Sequence, residues 1–221
     1  IVFFKETQQI GVAQICSGIL SGESHPLNLR EQIFKFRKLC NKKTFRLSHL
    51  PDAYHLLSTQ GRSNVYRFNG MRRHADLLAQ SQTEQDVSRA FREMESEDFL
   101  DFLGAAEWES FCTAYLITEE GFVPTGLSTG RTLPVVDIVG RRRENGSRIY
   151  AQCKKDLNPR QISDEFRALC STLDPDDTAY FFAYGGCHGN HENMTVFDRD
   201  CALRWAATGN GRRYIELLTA A

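Results

Sequence analysis

No stretch of the 221-residue chain approaches the roughly 18 consecutive apolar residues that a membrane span requires, so a membrane-spanning helix is not expected. The chain also opens Ile1-Val2-Phe3-Phe4-Lys5, without an initiator Met and without a charged segment ahead of a long apolar run. That start suits an internal piece or processed chain with a domain missing upstream, not a signal peptide. Paired cysteines are missing too. The seven, at 16, 40, 112, 153, 170, 187 and 201, are odd in number and scattered. They read as reduced thiols of a cytoplasmic protein without a disulfide framework. Cys187-His188 with His191 and Cys201 matches no paired zinc spacing, so zinc is not expected. Neither Ser128-Thr129-Gly130 nor Thr208-Gly209-Asn210-Gly211 carries the Gly-Lys-Ser/Thr ending of a phosphate loop, and both read as turns. There is no internal repeat or low-complexity tract. With 41% hydrophobic and 25% charged residues, what remains is an ordinary globular chain.

A large net charge is absent as well, but the value of -1 conceals an asymmetry. Residues 1–80 hold 12 Lys and Arg against 5 Asp and Glu, whereas residues 81–221 hold 15 against 23. A basic segment suits a polyanion, and an acidic one can concentrate divalent cations. A complementary contact between the two halves is the plainer alternative. The sign change places a domain boundary near residue 80, giving a smaller basic N-terminal domain (1–80) and a second domain (81–221).

Within the first, helices are expected over residues 29–40 and 50–58. A turn at 60–64 then leads into a short strand, Val65-Tyr66-Arg67-Phe68. This order is compatible with a winged helix, although residues 10–20 read as a strand outside that scheme. The second should open with a helix capped at Ser81-Gln82-Thr83-Glu84. Trp108, Phe111, Cys112, Tyr115 and Leu116 recur at helical spacing until Gly121. Strands follow at 122–123, 133–139 and 148–154, the last two joined at Asn145-Gly146, a hairpin turn with positive φ at both positions. Asn158-Pro159 caps a helix carrying Ile162, Phe166, Leu169 and Leu173 on one face. Residues 178–184 form a nearly all-apolar and therefore central strand. Residues 194–197 form another, and a helix covers roughly 201–208. The order α-β-β-β-α-β-β-α gives an α/β (α+β) fold, a mixed sheet flanked by helices.

Asp137 stands in the apolar run Pro134-Val135-Val136-Asp137-Ile138-Val139. A buried carboxylate needs a cation, a hydrogen-bond network or open water beside it. Across the hairpin, Gln152 and Lys154 lie two residues apart and so share one sheet face. Carboxylate, amide and ammonium converging on one patch suit phosphodiester hydrolysis. Asp137 and the Gln152 carbonyl would be oxygen ligands for Mg²⁺ or Mn²⁺, and Lys154 would orient water or stabilise the transition state. Each residue alone reads more plainly as a hairpin partner or a solvated strand end.

Asp137 followed by a hairpin and Gln152-Cys153-Lys154 resembles the core of the PD-(D/E)xK, or restriction-endonuclease-like, nuclease superfamily. The Gln-Cys-Lys wording is similar to the Mrr-like restriction endonuclease branch, as is Trp108-Glu109 followed by Gly121-Phe122. The resemblance covers about residues 98–200. It implies a restriction-endonuclease-like fold and an endonuclease acting on double-stranded DNA, with a role in restriction or antiviral defence. It also implies that Glu109 supports the metal site, with Glu107 its nearest rival. Residues 128–132 depart from the branch and leave one or two metal ions open. Arg62, Arg67, Arg72 and Arg73 in the basic segment, and Arg141, Arg142, Arg143 and Arg148 at the hairpin, are the candidate DNA contacts. Two other readings stand beside cleavage of foreign DNA. One is a catalytically inactive DNA-binding or assembly module, which the amide at position 152 suggests. The other is a junction resolvase or transposition nuclease. A homodimer or a protein partner in a defence complex is compatible with each.

Overall fold

The structure, a computed structural model, describes residues 2–5, 8–15, 20–21, 35–36, 39–52, 54, 72–125 and 135–220. Its centre is a five-stranded mixed sheet formed by β6 (Phe122–Pro124), β7 (Ile138–Arg142), β8 (Arg148–Lys154), β9 (Thr178–Ala183) and β10 (Met194–Phe197). The spatial order is β10-β9-β8-β7-β6. The β6–β7 and β7–β8 pairs are antiparallel, whereas β8–β9 and β9–β10 are parallel. Parallel pairing requires a crossover, and α5 (Pro159–Cys170) supplies the one from β8 to β9. Its start is fixed locally. The Asn158 side chain accepts from the Gln161 N–H, the Gln161 side chain returns to the Asn158 N–H, and Pro159 occupies the first turn.

Side-chain alternation along β9 divides the interior. Ala179, Phe181 and Ala183 pack with Ile162, Phe166 and Leu169 of α5, while Tyr180 and Phe182 face the opposite layer. That layer contains α4 (Ala105–Glu119), α6 (Arg199–Ala206) and α7 (Gly209–Thr219). Trp108 of α4 is fully buried there and donates its indole N–H to the Phe182 carbonyl at 3.4 Å. The expected order α-β-β-β-α-β-β-α therefore appears as α4 to α6, and the central placement of residues 178–183 is observed. Helix α7 is additional. Thr208, read as part of a turn, is instead its N-cap and accepts from the Gly211 N–H at 3.2 Å.

Ahead of this core, β1 (Val2–Lys5), β2 (Gln9–Ile15) and β5 (Leu39–Arg46) form an antiparallel sheet. Short β3 (Leu20–Ser21) pairs with β4 (Lys35–Phe36). The helix expected over 29–40 is thus strand at 35–36 and 39–40. Pairing of 35–36 with β3 (Leu20↔Phe36) and of 39–40 with β2 (Ile15↔Leu39) overrides local helical spacing. The helix expected over 50–58 has a 3-10 turn at Leu47–His49 ahead of it, and residues 55–58 lie outside the described residues, as does the strand at 65–68. Three short helices then lead to α4: α1 (Arg72–Gln80), α2 (Glu84–Arg92) and α3 (Ser96–Phe102). The capping box of α2 uses Thr83 and Asp86, two residues later than expected, because the Ser81 hydroxyl instead donates to the Leu77 carbonyl of α1.

Charge changes sign near residue 80, but apolar packing crosses it. One cluster joins Ile10, Val12, Phe45 and Leu47 to Leu78, Val87 and Phe91, and onward to Trp108 and Phe182. Lys43 reinforces the crossing by donating to the Ala79 and Ser81 carbonyls at 2.7 and 2.9 Å. Among the described residues, no helix is long and apolar enough to cross a membrane.

Candidate functional site

Asp137 lies immediately ahead of β7 rather than inside a strand. Residues 133–134 are outside the described residues, and Val135 and Val136 turn into the cluster beneath α5 instead of joining the ladder. Two backbone contacts hold Asp137 at the sheet end. Its N–H donates to the Ala151 carbonyl at 2.9 Å, and its Oδ2 accepts from the Cys153 N–H at 2.8 Å. The side chain is about one-third exposed (32%).

Strand alternation sends Ile149, Ala151 and Cys153 toward α4, and Tyr150, Gln152 and Lys154 toward α5. Gln152 is 1% exposed, and its Nε2 donates to Oε2 of Glu165 at 2.6 Å. An ionised carboxylate only accepts, so the amide must present its NH₂ there. Its carbonyl oxygen, Oε1, is left buried without a hydrogen-bond partner. Such an orphaned acceptor costs about 1–3 kcal/mol, which coordination to a cation would offset. The Lys154 ammonium lies 3.7 Å from Asp137 Oδ2 and 3.7 Å from Glu165 Oε2, so it stands between the two carboxylates at ion-pair distance.

Glu165 was not singled out in the sequence. The signal was available, since it sits three residues after Ile162 and beside Phe166, at the margin of the buried stripe of α5. Two carboxylates against one ammonium leave the cluster net negative. Its donors are all oxygen, which suits Mg²⁺ or Mn²⁺. Among the described residues, no group of three or more His, Cys, Asp or Glu side chains is arranged to hold a metal. An ion here would draw on Asp137, Glu165 and the neutral Gln152 oxygen. The orphaned Oε1 and the surplus negative charge fit that role.

The remaining expected residues lie elsewhere. Glu109 projects from α4, on the other side of β8 from Gln152 and Lys154. It reaches the strand electrostatically through Cys153. Burial pushes that thiol's pKa up, and the carboxylates of Asp137 and Glu109 add to the rise. Glu109 also lines a shallow groove of about 490 Å³ with Ser110, Thr113, Ile117 and Tyr214. Glu107 is buried away from the site, with Oε1 3.2 Å from His74 Nε2 of α1 but out of line for a hydrogen bond.

The hairpin arginines occupy the far end of the strands. Arg141 pairs with Arg148, four residues before Gln152 and hence roughly 13 Å along β8. Most are engaged. Arg142 Nη2 lies 3.0 Å from Glu120, Arg141 donates to the Gly146 carbonyl at 2.6 Å, and Arg148 is 3.9 Å from Asp174. Only Gly146 has positive φ (+72°), so the turn is a four-residue loop (143–146) rather than the expected two-residue one. A one-residue excursion through the left-handed region, rather than two, suffices for the longer loop. Arg72 and Arg73 are exposed at the start of α1, Arg72 lying 3.6 Å from Asp76, whereas Arg62 and Arg67 lie outside the described residues. Residues 128–132 lie outside them too. In the loop after β9, Cys187 Sγ accepts from the Gly189 N–H and His191 Nδ1 from the Asn193 N–H.

No family model matches this chain, and neither a curated protein nor a solved structure shows significant similarity to it.

Proposed function

We propose that this chain is a Mg²⁺-dependent endonuclease of the restriction-endonuclease-like kind that hydrolyses phosphodiester bonds in double-stranded DNA. The observation that carries the reading is the convergence of Asp137, the orphaned Gln152 carbonyl and Lys154 at one end of a mixed sheet. The element order from α4 to α6 supports it. Asp137 and Gln152 would hold the ion, whose chemistry when bound is to activate water and neutralise charge on the phosphate. The Lys154 ammonium, at ion-pair distance from both carboxylates, would stabilise the negative charge that develops on the phosphoryl oxygens. The basic segment 1–80 would hold DNA through phosphate contacts, and restriction of foreign DNA is the role that fits such an activity.

The amide at position 152 favours a second reading, a DNA-binding or assembly module that does not cleave, because fold alone does not fix activity. Plasmid cleavage with and without Mg²⁺, by the wild-type chain and by Lys154→Ala, separates the two. Metal-dependent nicking that disappears in Lys154→Ala is the expected result. DNA binding without cleavage under any metal condition would favour the second reading.

A further inference from the structure

We propose that Glu165, on the crossover helix α5, is the second anionic ligand of a single divalent-cation site and supplies the charge that Gln152 does not. The inference rests on the metal-dependent reading above and deepens it.

The placement is built rather than incidental. Ile162, Phe166 and Leu169 anchor α5 against β9 and leave Glu165 facing the end of β8. Its carboxylate touches two members of the cluster, Gln152 at 2.6 Å and Lys154 at 3.7 Å, yet stays 38% exposed, so an ion can reach it from solvent. Asp137 Oδ2 lies 3.7 Å from the same ammonium.

A purely structural Glu165 would satisfy the Gln152 NH₂ and leave the amide oxygen buried and unpaired. As a ligand, Glu165 does two things at once. It contributes a negative oxygen and also fixes the Gln152 amide so that Oε1 is the free atom. The donor set becomes two carboxylates and one neutral oxygen, with water completing the shell. Affinity for a hard cation rises with the number of anionic ligands, so a site of Asp137 and an amide alone would be weak. Among the described residues, no third carboxylate joins the cluster.

Titration calorimetry with Mn²⁺ in the absence of DNA tests this without relying on cleavage. Wild type should bind one ion. Glu165→Gln should bind it about tenfold more weakly or worse, and Asp137→Asn likewise. The double exchange Q152E/E165Q returns a carboxylate–amide pair to the same place with the roles reversed, and should recover most of the affinity. Wild-type affinity in Glu165→Gln together with loss in Asp137→Asn would overturn the role of Glu165 and leave the nuclease reading standing. Unaltered binding in Asp137→Asn, or no binding by wild type, would remove the site itself and this inference with it. Thermal melts accompany each variant. Should Glu165→Gln fail to fold, a folded Q152E/E165Q chain that binds no Mn²⁺ would overturn the proposal just as surely.

Discussion

Replacing Lys155 by Met tests how a lysine is kept inside this fold. Lys155 follows the site residue Lys154 but points into the opposite layer and is 8% exposed. Its Nζ donates to the Leu100 carbonyl in the last turn of α3 at 2.5 Å and lies 3.1 Å from the centre of the Tyr184 ring. Burial lowers its pKa from 10.5 to about 8, against the opposing pull of Asp101 and Asp156, with Arg73 and Arg199 adding to the depression. Above pH 10.5 the amine is neutral in both the folded and the unfolded chain. Between pH 10.5 and 8 the unfolded chain holds a proton that the folded chain lacks, so stability falls as the pH falls; below 8 the penalty is constant. At about 1.4 kcal/mol per pH unit, the full effect is about 3 kcal/mol. Lys155→Met retains the apolar stem and lacks the titration. Urea denaturation of both chains at pH 7.5 and 10.5 measures the difference. Wild type should gain about 3 kcal/mol relative to Lys155→Met on going to the higher pH, on the order of 1 M in urea midpoint. Other groups that titrate there, such as the buried thiols and phenols, are common to both chains and cancel. Parallel stability curves over that range would refute the reasoning.

Other outcomes follow from the packing. A Cβ on Gly140 would fall 2.2 Å from the Phe122 ring and 2.4 Å from the Val123 carbonyl. Gly140→Ala should therefore lift β6 off the sheet edge and cost at least about 2 kcal/mol, seen as a lowered Tm. A chain beginning at Ser81 uncovers Val87 and Phe91, so it should bind a hydrophobic dye and melt without a sharp transition; an unchanged melt would support independent folding of residues 81–221. In plasmid assays, Gln152→Glu should keep or raise cleavage, since a further carboxylate tightens a site for a hard cation. Arg141→Ala with Arg143→Ala should barely change the salt dependence of DNA affinity if the far hairpin end is not a phosphate track.

Most local elements from Trp108 onward were legible in the sequence, as was one half of the site, with β7 displaced and α7 missed. Period-2 alternation put Gln152 and Lys154 on one face, Asn158-Pro159 marked where α5 starts, and the apolar run at 178–183 required a central strand. These are short-range signals, set by backbone geometry and by which side chains must leave water. Which of these elements meet depends on long-range packing. It placed Glu109 across the sheet from Gln152 and brought Glu165, which helical spacing sets only at the margin of the α5 stripe, to the Gln152 amide. It also set Asp137 ahead of β7, with Val135 and Val136 packed into the cluster that contains Ile162, Phe166 and Leu169. Residues 39–46 became a strand through pairing with β2, an interaction between segments about thirty residues apart. Periodicity records how one segment divides between core and solvent. The encounter of two carboxylates around one lysine depends on the packing of separate segments, which no local pattern encodes.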